Sequence, residues 1–317
     1  MLLRIRRALA MPASSLRIGV GDDAAVWRPQ PGCETILTCD WFLEGTHFLL
    51  ERHPPDSVGW KCLARAVSDL AAMGARPRCF LLSLALPSNH AGSWLDQFLQ
   101  GLRAASNQLN CPAAGGDTTR RDKVLISVAV VGECPRGRAL LRGGAGPGDA
   151  IFVTGRLGEA EYGLRLIRSG RRLNAHDRRL RKHLYPEPRL EVGAWLAEQR
   201  LATAMMDLSD GLSSDLPRLC AAGSVGARLD CQRIPFVDMS GAGTKSFDAL
   251  AFALHGGDDY ELLFTVSAKN ISKIPRRITG TPVTMIGYVT CEREILLTDQ
   301  SGRVIPLAQG GWDPFRK

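Results

Sequence analysis

The chain has 317 residues, of which 45% are hydrophobic and 23% charged, so it is long enough for two globular domains and is neither disordered nor fibrous in composition. No run of about 18 apolar residues occurs, and the opening MLLRIRRALAMPASS lacks the apolar stretch of a secretory signal, so no membrane span is expected. The net charge of +8 permits nucleic acid, an anionic membrane or a phosphorylated small molecule as a partner and does not choose among them.

The cysteine pattern argues against a disulfide framework. Nine cysteines occur, an odd number, and no two of them form a C-x-x-C pair. In a chain of this length such a pattern is typical of reduced thiols, so a cytoplasmic location is expected.

The first half of the chain alternates predicted strands and helices. Strands are predicted at 34–40, 78–87 and 124–133, with helices at 54–74 and 94–109 between them. This alternation is typical of α/β layering in which helices cover one face of a sheet.

A glycine-rich stretch, LLRGGAGPGD at 140–149, marks the expected domain boundary, which gives domains of residues 1–148 and 149–317. The second domain is also predicted to be α/β. Its predicted elements are strands at 150–155, 226–232, 260–266, 283–289 and 294–299, helices near 158–169, 177–184 and 188–200, and a helix ending at 257.

The segment 165–189 holds nine Lys and Arg residues against Asp177 and Glu187. We interpret it as a solvated helical face, because a nucleic-acid surface would normally have aromatic residues interleaved and this segment has only Tyr185. A basic, non-catalytic nucleic-acid-binding protein remains the alternative from a different functional class.

Five acidic segments recur, each expected as a turn that places Asp at the edge of an apolar segment. They are GDDAAV (21–26), TCDWFLEGTHF (38–48), AVSDLAAMG (66–74), GGDTT (115–119) and MMDLSDG (205–211). A single Asp of this kind usually caps a helix or makes a turn. If the five converge, each close carboxylate pair repels by about 4 kcal/mol at an effective dielectric constant near 20. Oxygen donors without a His or Cys pattern favour Mg²⁺, which shares its coordination shell with substrate phosphates.

The familiar nucleotide-binding signatures are missing from the sequence. It contains no G-x-x-x-x-G-K-[ST], Lys245 in GTKS lacks the preceding glycines, and no G-x-G-x-x-G follows a predicted strand. An ATP site would therefore depend on metals that bridge phosphates to aspartates, helped by Arg142 and by backbone amides near Gly116.

Taken in order, the motifs GDDAAV, TCDWFLEGTHF, VSDLAAMGARP, GGDTTR, SDGLSSDL, GGDDYELLF and GGWDPF resemble the thiamine-monophosphate kinase family. The resemblance covers about residues 19 to 315, and its SDLAAMGA and GGDTT segments are shared with the wider superfamily of aminoimidazole ribonucleotide synthetases. It implies a mixed α/β (α+β), two-domain synthetase-like fold, with N-terminal domains forming a shared barrel in a homodimer. It also implies ATP-dependent phosphorylation of thiamine monophosphate to thiamine diphosphate with several Mg²⁺ ions, and no nucleic-acid or membrane partner.

The same resemblance implies roles for individual residues. Metal ligands are expected at Asp23, Thr38, Cys39, Asp40, Asp69, Asp117, Asp207 and Asp210. ATP contacts are expected at Gly116, Asp117, Arg142 and Ser209, contacts with the thiamine phosphate at His47, Asp258 and Trp312, and catalytic roles at Asp210 and Asp117.

Two positions depart from the family pattern. Cys39 stands where Thr or Ser is usual, and a thiol is a poor partner for Mg²⁺ unless the ligand is the main-chain carbonyl. Asp258 stands where Glu is common, so its carboxylate reaches less far.

The acceptor phosphate of such a reaction is already mostly ionised near pH 7, so no strong general base is needed. Repulsion between two anions is the main obstacle, and bound Mg²⁺ would overcome it. On this interpretation Asp215 is a helix residue without a catalytic role. Another ATP-dependent synthetase of the same superfamily, of the aminoimidazole ribonucleotide or selenophosphate type, remains the alternative enzyme.

Overall fold

The structure is a computed structural model that describes residues 1–9, 11, 16–170, 177–239 and 247–315. It divides into two compact units. The first comprises residues 1–70, 75–137 and 184–188, and the second comprises residues 71–74, 138–183 and 189–317. Since short segments cross between the units, the expected boundary after residue 148 stays a prediction.

The first unit is built on a four-stranded sheet. Its described elements are α1 (Leu2–Leu9), α2 (Pro55–Ala72), α3 (Ser93–Gln108), β1 (Leu16–Ile18), β2 (Val26–Trp27), β3 (Cys33–Leu43), β4 (Arg76–Leu86), β5 (Ala113–Arg120) and β6 (Leu125–Pro135). The strand order is β3-β6-β4-β5, in which β6 is antiparallel to both neighbours and β4 is parallel to β5. Strands β1 and β2 form a separate antiparallel pair.

Helices α2 and α3 approach each other at the level of their backbones. A Cβ atom at Gly59 of α2 would lie 2.0 Å from the Phe98 carbonyl oxygen, and one at Gly101 of α3 would lie 1.8 Å from the Asp56 carbonyl oxygen. No side chain fits in that space, so glycine is required at both positions. Helix α2 also packs on the sheet, since a Cβ at Gly132 of β6 would lie 2.8 Å from the Leu70 side chain.

The other face of this sheet is open in the described unit. Three large apolar side chains point from it into solvent: Leu37 and Trp41 on β3 and Leu81 on β4, which are 72%, 57% and 43% exposed. One covered face and one open face is the layering that the alternating sequence predicts.

The second unit is built on an eight-stranded sheet. Its helices are α4 (Glu159–Arg168), α5 (Arg178–Leu184), α6 (Leu190–Gln199), α7 (Leu212–Gly223) and α8 (Ala249–His255). Its strands are β7 (Ala150–Thr154), β8 (Ala202–Leu208), β9 (Gly226–Asp230), β10 (Glu261–Val266), β11 (Arg277–Ile278), β12 (Thr281–Thr290), β13 (Ile295–Thr298) and β14 (Val304–Pro306). Seven strands follow the order β14-β13-β9-β12-β7-β10-β8, and β11 pairs with β12.

Both faces of this second sheet are covered around β10. Leu263 belongs to a buried cluster with Leu216 of α7, while Phe264 belongs to a second cluster with Leu196 of α6. Every residue of β10 is buried as a result, including the charged Glu261. Burying each large apolar side chain contributes about 1.5–3 kcal/mol, so this strand anchors the residues that precede it.

The expectation that the five acidic segments are turns is wrong for four of their aspartates. Asp40 lies inside β3, Asp69 inside α2, Asp117 inside β5 and Asp207 inside β8. The Gly115–Gly116 pair continues a strand because both residues pair in register with Leu81 and Leu82 of β4.

The expectation for Lys245 falls on residues 240–246, which lie outside the described residues, as do residues 171–176 of the basic segment. None of the helices within the described ranges combines the length and the apolar composition that crossing a membrane requires.

Candidate functional site

Strand β3 and helix α2 bring three of the predicted metal ligands together. Thr38 and Asp40 alternate with exposed residues along β3 and lie on its helix-covered side. The Thr38 hydroxyl donates a hydrogen bond to the Asp69 carboxylate. The Arg65 guanidinium, one helical turn before Asp69, donates from Nε to Asp40 at 3.2 Å.

The donors of this group fit Mg²⁺ in their chemistry. Two carboxylates and a hydroxyl are hard oxygen ligands, and Mg²⁺ takes few protein ligands because it retains several waters. Across the described part of the chain, no three His, Cys, Asp or Glu side chains are gathered so that they could hold one ion. The ligand set at Asp40 and Asp69 therefore leaves positions for water and phosphate oxygens.

The Cys39 thiol points away from this group. Its Sγ lies 3.3 Å from the Ser127 Oγ on the open face of the sheet, whereas its neighbours Thr38 and Asp40 lie on the covered side. A metal held by Asp40 could be reached by Cys39 only through its main-chain carbonyl.

Gly116 and Asp117 lie at the other edge of the same sheet. Asp40 pairs with Val128, Val128 with Leu82, and Leu82 with Gly116, so Asp40 and Gly116 share one row of the sheet. Three inter-strand spacings separate them by roughly 14 Å. The structure therefore does not bring Asp117 next to Asp40.

Gly116 has a conformation that requires glycine. Its φ is +151°, and a Cβ there would lie 1.9 Å from the Leu82 carbonyl oxygen. The Asp117 carboxylate accepts a hydrogen bond from the Thr118 N–H at 2.8 Å, which holds this side chain at the edge of the sheet.

The remaining predicted residues of the first unit lie on loops. Asp23 is exposed, and its N–H donates to the Asp22 carboxylate at 2.8 Å. His47 accepts the Leu43 N–H at Nδ1 at 3.0 Å. With Nδ1 as acceptor, the neutral imidazole has its proton on Nε2, which is the tautomer that can donate to a phosphate oxygen.

In the second unit, the turn Ser209–Gly211 follows β8 and is held by one carboxylate from inside the next helix. Oδ2 of Asp215 accepts the N–H groups of Ser209, Asp210 and Gly211 at 3.1, 3.0 and 3.1 Å. Asp215 is fully buried, and this burial, with the nearby Asp210 charge, raises its pKa to about 6 against the effect of the N–H groups and Arg218. Sequence reasoning predicts no role in the site for Asp215, and the signal it missed is an acid within the first turn of a helix that follows a tight turn.

Arg218 connects this turn to α7. Its guanidinium donates to Asp210 at 2.5 Å and to Asp215 at 2.8 Å. Asp210 is thus placed by a side-chain contact as well as by its backbone. Asp207 precedes the turn on β8, where it is buried and pairs in register with Leu262.

Three loops meet at the turn. The Ser209 carbonyl oxygen accepts the Asp258 N–H at 2.8 Å, and the Asp210 carbonyl oxygen accepts the Trp312 N–H at 2.9 Å. A Cβ at Gly257 would lie 2.7 Å from the Ser209 carbonyl oxygen, so the loops touch through their backbones. The structure therefore brings Ser209, Asp210, Asp258 and Trp312 together.

The backbone around Asp258 is strained. Asp258 and Tyr260 have φ values of +67° and +49°, which non-glycine residues rarely adopt. The Tyr260 hydroxyl donates to the Asp258 carboxylate at 2.7 Å, and His183 Nδ1 lies 4.0 Å from the same carboxylate. Strain of this kind, about 1–3 kcal/mol per residue, is typical of binding sites.

A buried ionic cluster beneath this loop was missed from sequence. Glu261 is fully buried; it accepts Arg189 Nε and Nη2 at 2.7 and 2.6 Å, the Thr154 hydroxyl at 2.6 Å, and the Lys182 ammonium. Burial would raise the pKa of Glu261, but Lys182 and Arg189 overcome it and hold the pKa at about 2. The signal in the sequence was Glu261 within the otherwise apolar segment YELLF, because a buried carboxylate needs cations nearby.

This cluster corrects the interpretation of the basic segment. A solvated helical face is wrong for Lys182 and Arg189, since both pair with a buried carboxylate. Arg165 and Arg179 instead form surface pairs with Glu161 and Asp177.

Arg142 lies apart from the turn. The Leu141 carbonyl oxygen accepts the Met205 N–H at 2.9 Å, so Arg142 lies beside the middle of β8. Ser209 is four residues further along, which is roughly 13 Å at the rise of a strand. Arg142 and Ser209 are thus separated along β8, and the role of Arg142 as an ATP contact stays a prediction.

The chain matches two known domain families. Residues 21–134 match the AIR synthase related protein, N-terminal domain, and residues 146–300 match the AIR synthase related protein, C-terminal domain. Thiamine-monophosphate kinase of Escherichia coli strain K12 is 37% identical over 307 residues, which cover 95% of this chain and 92% of that protein.

Solved structures are similar to the chain over nearly its whole length. The crystal structure of thiamine-monophosphate kinase from Stenotrophomonas maltophilia K279a has a TM-score of 0.84 at 35% identity and covers 94% of this chain and 96% of its own. The structure of AaThiL complexed with AMPPCP and TMP has a TM-score of 0.80 at 29% identity and covers 98% and 94%.

Proposed function

The chain belongs to the thiamine-monophosphate kinases, within the AIR synthase related family, and from this membership we propose how its residues transfer phosphate from ATP to thiamine monophosphate. The product is thiamine diphosphate, and ATP is the co-substrate. The observation that supports this most strongly is the meeting of Ser209, Asp210, Asp258 and Trp312 through backbone hydrogen bonds, in a chain related to such kinases over nearly its full length.

The acceptor in this reaction is a phosphate monoester that is already mostly ionised near pH 7. The enzyme therefore needs no strong general base, and its task is to hold two anionic groups in line and to neutralise their repulsion. When bound, several Mg²⁺ ions would supply that neutralisation. The residues that we propose to hold these ions between them are Asp23, Thr38, Asp40, Asp69, Asp117, Asp207, Asp210 and, through its main-chain carbonyl, Cys39.

In this proposal four residues contact ATP: Gly116, Asp117, Arg142 and Ser209. Gly116 has no side chain, so its backbone can approach a phosphate closely. Catalytic roles are proposed for Asp210 and Asp117.

We assign the acceptor to His47, Asp258 and Trp312. The Trp312 ring is 47% exposed although its backbone is fixed to Asp210, so a large aromatic surface is presented on a rigid support. Such a surface suits stacking on a flat heteroaromatic ring. The Asp258 carboxylate suits the positive charge of a thiazolium or the amino group of a pyrimidine, and the His47 Nε2 proton suits the phosphate.

We also propose that the protein is a homodimer joined through the open face of the first unit's sheet. That face exposes Leu37, Trp41 and Leu81, and exposed apolar patches of this kind mark protein interfaces. Strand β3 is an edge strand of eleven residues, and an uncovered edge is a template for pairing with another chain. A barrel shared by two such sheets would cover both features.

A cytoplasmic location is part of the proposal. All nine cysteines have free thiols, and six of them are buried. A protein that keeps this many thiols unpaired is suited to a reducing compartment.

The metal assignment is tested by the Mg²⁺ dependence of ADP formation from ATP and thiamine monophosphate. We expect EDTA to abolish the reaction, and Asp40→Asn and Asp69→Asn to raise the Mg²⁺ concentration for half-maximal rate by about 10-fold or more. Asp177→Asn, which removes a surface carboxylate paired with Arg179, is the matched control. An unchanged Mg²⁺ dependence in both site variants would remove Asp40 and Asp69 from the metal site.

A further inference from the structure

The C-terminal segment Gly310–Trp312, here called the terminal segment, is fixed to the second unit at two points. Besides the bond from the Trp312 N–H to Asp210, the Gly310 N–H donates to the Ser213 hydroxyl at 3.3 Å. That hydroxyl lies 2.8 Å from Nδ1 of His255 at the end of α8. Ser213 is fully buried, whereas His255 is half-buried and Gly310 is exposed, so the contact lies at the edge of the unit's interior.

The terminal segment approaches its neighbours too closely for any side chain on its glycines. A Cβ at Gly310 would lie 2.5 Å from His255 Nδ1, and one at Gly311 would lie 2.3 Å from the Ser214 Oγ. Van der Waals contact between such atoms needs a separation of more than 3 Å. The segment is therefore in close contact with α7 and α8.

The donors and acceptors of this contact form a consistent chain. Burial lowers the pKa of His255, although Asp248 opposes the shift, so the imidazole is neutral near pH 7. The Ser213 hydroxyl accepts the Gly310 N–H and donates to Nδ1, which places the imidazole proton on Nε2. Ser213 and His255 therefore each have a hydrogen-bond partner in this contact.

We propose that Ser213 and His255 are positioning residues of the kinase reaction, which act on the acceptor through the terminal segment by holding Trp312 at the Asp210 turn. This inference rests on the proposed contact between Trp312 and thiamine monophosphate. Neither side chain touches a reacting atom. Their effect is to fix the aromatic ring before the acceptor arrives, which reduces the ordering that binding must bring about.

The test is steady-state kinetics on the full-length protein with both substrates varied. We expect Ser213→Ala and His255→Leu to raise KM for thiamine monophosphate about 3- to 10-fold, the loss expected for one hydrogen bond, with kcat and KM for ATP changed less than about 2-fold. In His255→Asn the side-chain amide can occupy the position of Nδ1, so KM for thiamine monophosphate should rise much less than in His255→Leu. Ser169→Ala, which removes a serine hydroxyl bonded only to its own helix, is the matched control.

A double-mutant cycle distinguishes positioning from a general effect on the fold. In the Trp312→Ala background, Ser213→Ala should raise KM for thiamine monophosphate by less than about 2-fold, because the ring it positions is gone. If Ser213→Ala does not fold, the same comparison is made with His255→Leu and His255→Asn, each measured with and without Trp312→Ala.

Three results would overturn the inference. These are an unchanged KM for thiamine monophosphate in the single variants, an equal rise in KM for both substrates, or an undiminished effect in the Trp312→Ala background. If the unmodified protein forms no thiamine diphosphate, the proposed function fails and the inference fails with it. If the unmodified protein is active but the effects of Ser213→Ala and Trp312→Ala on KM for thiamine monophosphate are additive, only the positioning role fails.

Discussion

The N–H of Trp312 donates a hydrogen bond of 2.9 Å to the carbonyl oxygen of Asp210. This bond joins the last motif of the chain to a turn far earlier in the sequence. The Asp210 carboxylate also accepts a hydrogen bond from the Arg218 guanidinium at 2.5 Å. Trp312, which is predicted to contact the acceptor, is therefore held beside Asp210, which is predicted to bind a metal. The arrangement leads to predictions about the turn, the cluster beneath it and the open sheet face.

Asp210→Asn is expected to abolish turnover while leaving the fold intact. In the proposed metal site this carboxylate would supply charge stabilisation of several kcal/mol, so the rate should fall by at least about 100-fold. Its ion pair with Arg218 is partly exposed and contributes about 0–1 kcal/mol, so the melting temperature should change little. ADP formation and thermal unfolding measure the two effects, and Asp230→Asn, which breaks the surface pair with Arg233, is the control. Unchanged activity would remove Asp210 from the site.

Asp215→Ala is expected to destabilise the second unit by about 2–4 kcal/mol. The substitution leaves the three N–H groups of Ser209, Asp210 and Gly211 without their acceptor in a buried position. Asp215→Asn retains an acceptor oxygen and should cost less. Urea unfolding followed by circular dichroism measures the loss, and an Asp215→Ala variant as stable as the unmodified protein would show that the carboxylate does not hold the turn.

Glu261→Gln is expected to destabilise the protein by about 3–5 kcal/mol near pH 7, because Lys182 and Arg189 lose the charge that balances them. The effect should depend on pH. The pKa of Glu261 is lowered from 4.5, its ordinary value in the unfolded chain, to about 2 in the folded protein, so its stabilisation is complete above pH 4.5 and is lost as the pH falls towards 2.

The difference in unfolding free energy between the two proteins should therefore narrow by about 2 kcal/mol from pH 7 to pH 3. Denaturant titrations at the two pH values measure it. A difference that stays constant over this range would mean that Glu261 is not held ionised by its two cations.

Leu37→Arg is expected to convert a dimer into a monomer. The substitution places a charge on the open face of the first sheet, where burial against a second copy would leave it without a partner. Sedimentation velocity measures the mass, and Val304→Arg, at an exposed position of β14 in the second unit, is the control. A monomeric unmodified protein, or a Leu37→Arg variant that remains dimeric, would contradict an interface on this face.

Local signals predicted most of the elements. Helix α2 was expected at 54–74 and spans Pro55–Ala72, and β12 was expected at 283–289 and spans Thr281–Thr290. Apolar periodicity and glycine or proline boundaries lie within the segment itself, so one sequence suffices to read them. The two-domain mixed α/β fold is confirmed by similarity to the Stenotrophomonas maltophilia structure.

The misassigned features depend on partners distant in sequence. Asp117 was expected in a turn because Gly-Gly-Asp has turn chemistry, yet register pairing of Gly116 with Leu82 extends a strand through it. The ion pair of Lys182 could not be predicted without its partner Glu261 on β10. Tertiary contacts of this kind override local propensity, and no local pattern reports them.

The proposed kinase reaction is tested by incubating the purified protein with thiamine monophosphate, ATP and Mg²⁺ and separating the products by chromatography. We expect equal amounts of thiamine diphosphate and ADP, with neither formed in the presence of EDTA. ADP without thiamine diphosphate, or no ADP under any of these conditions, would contradict it.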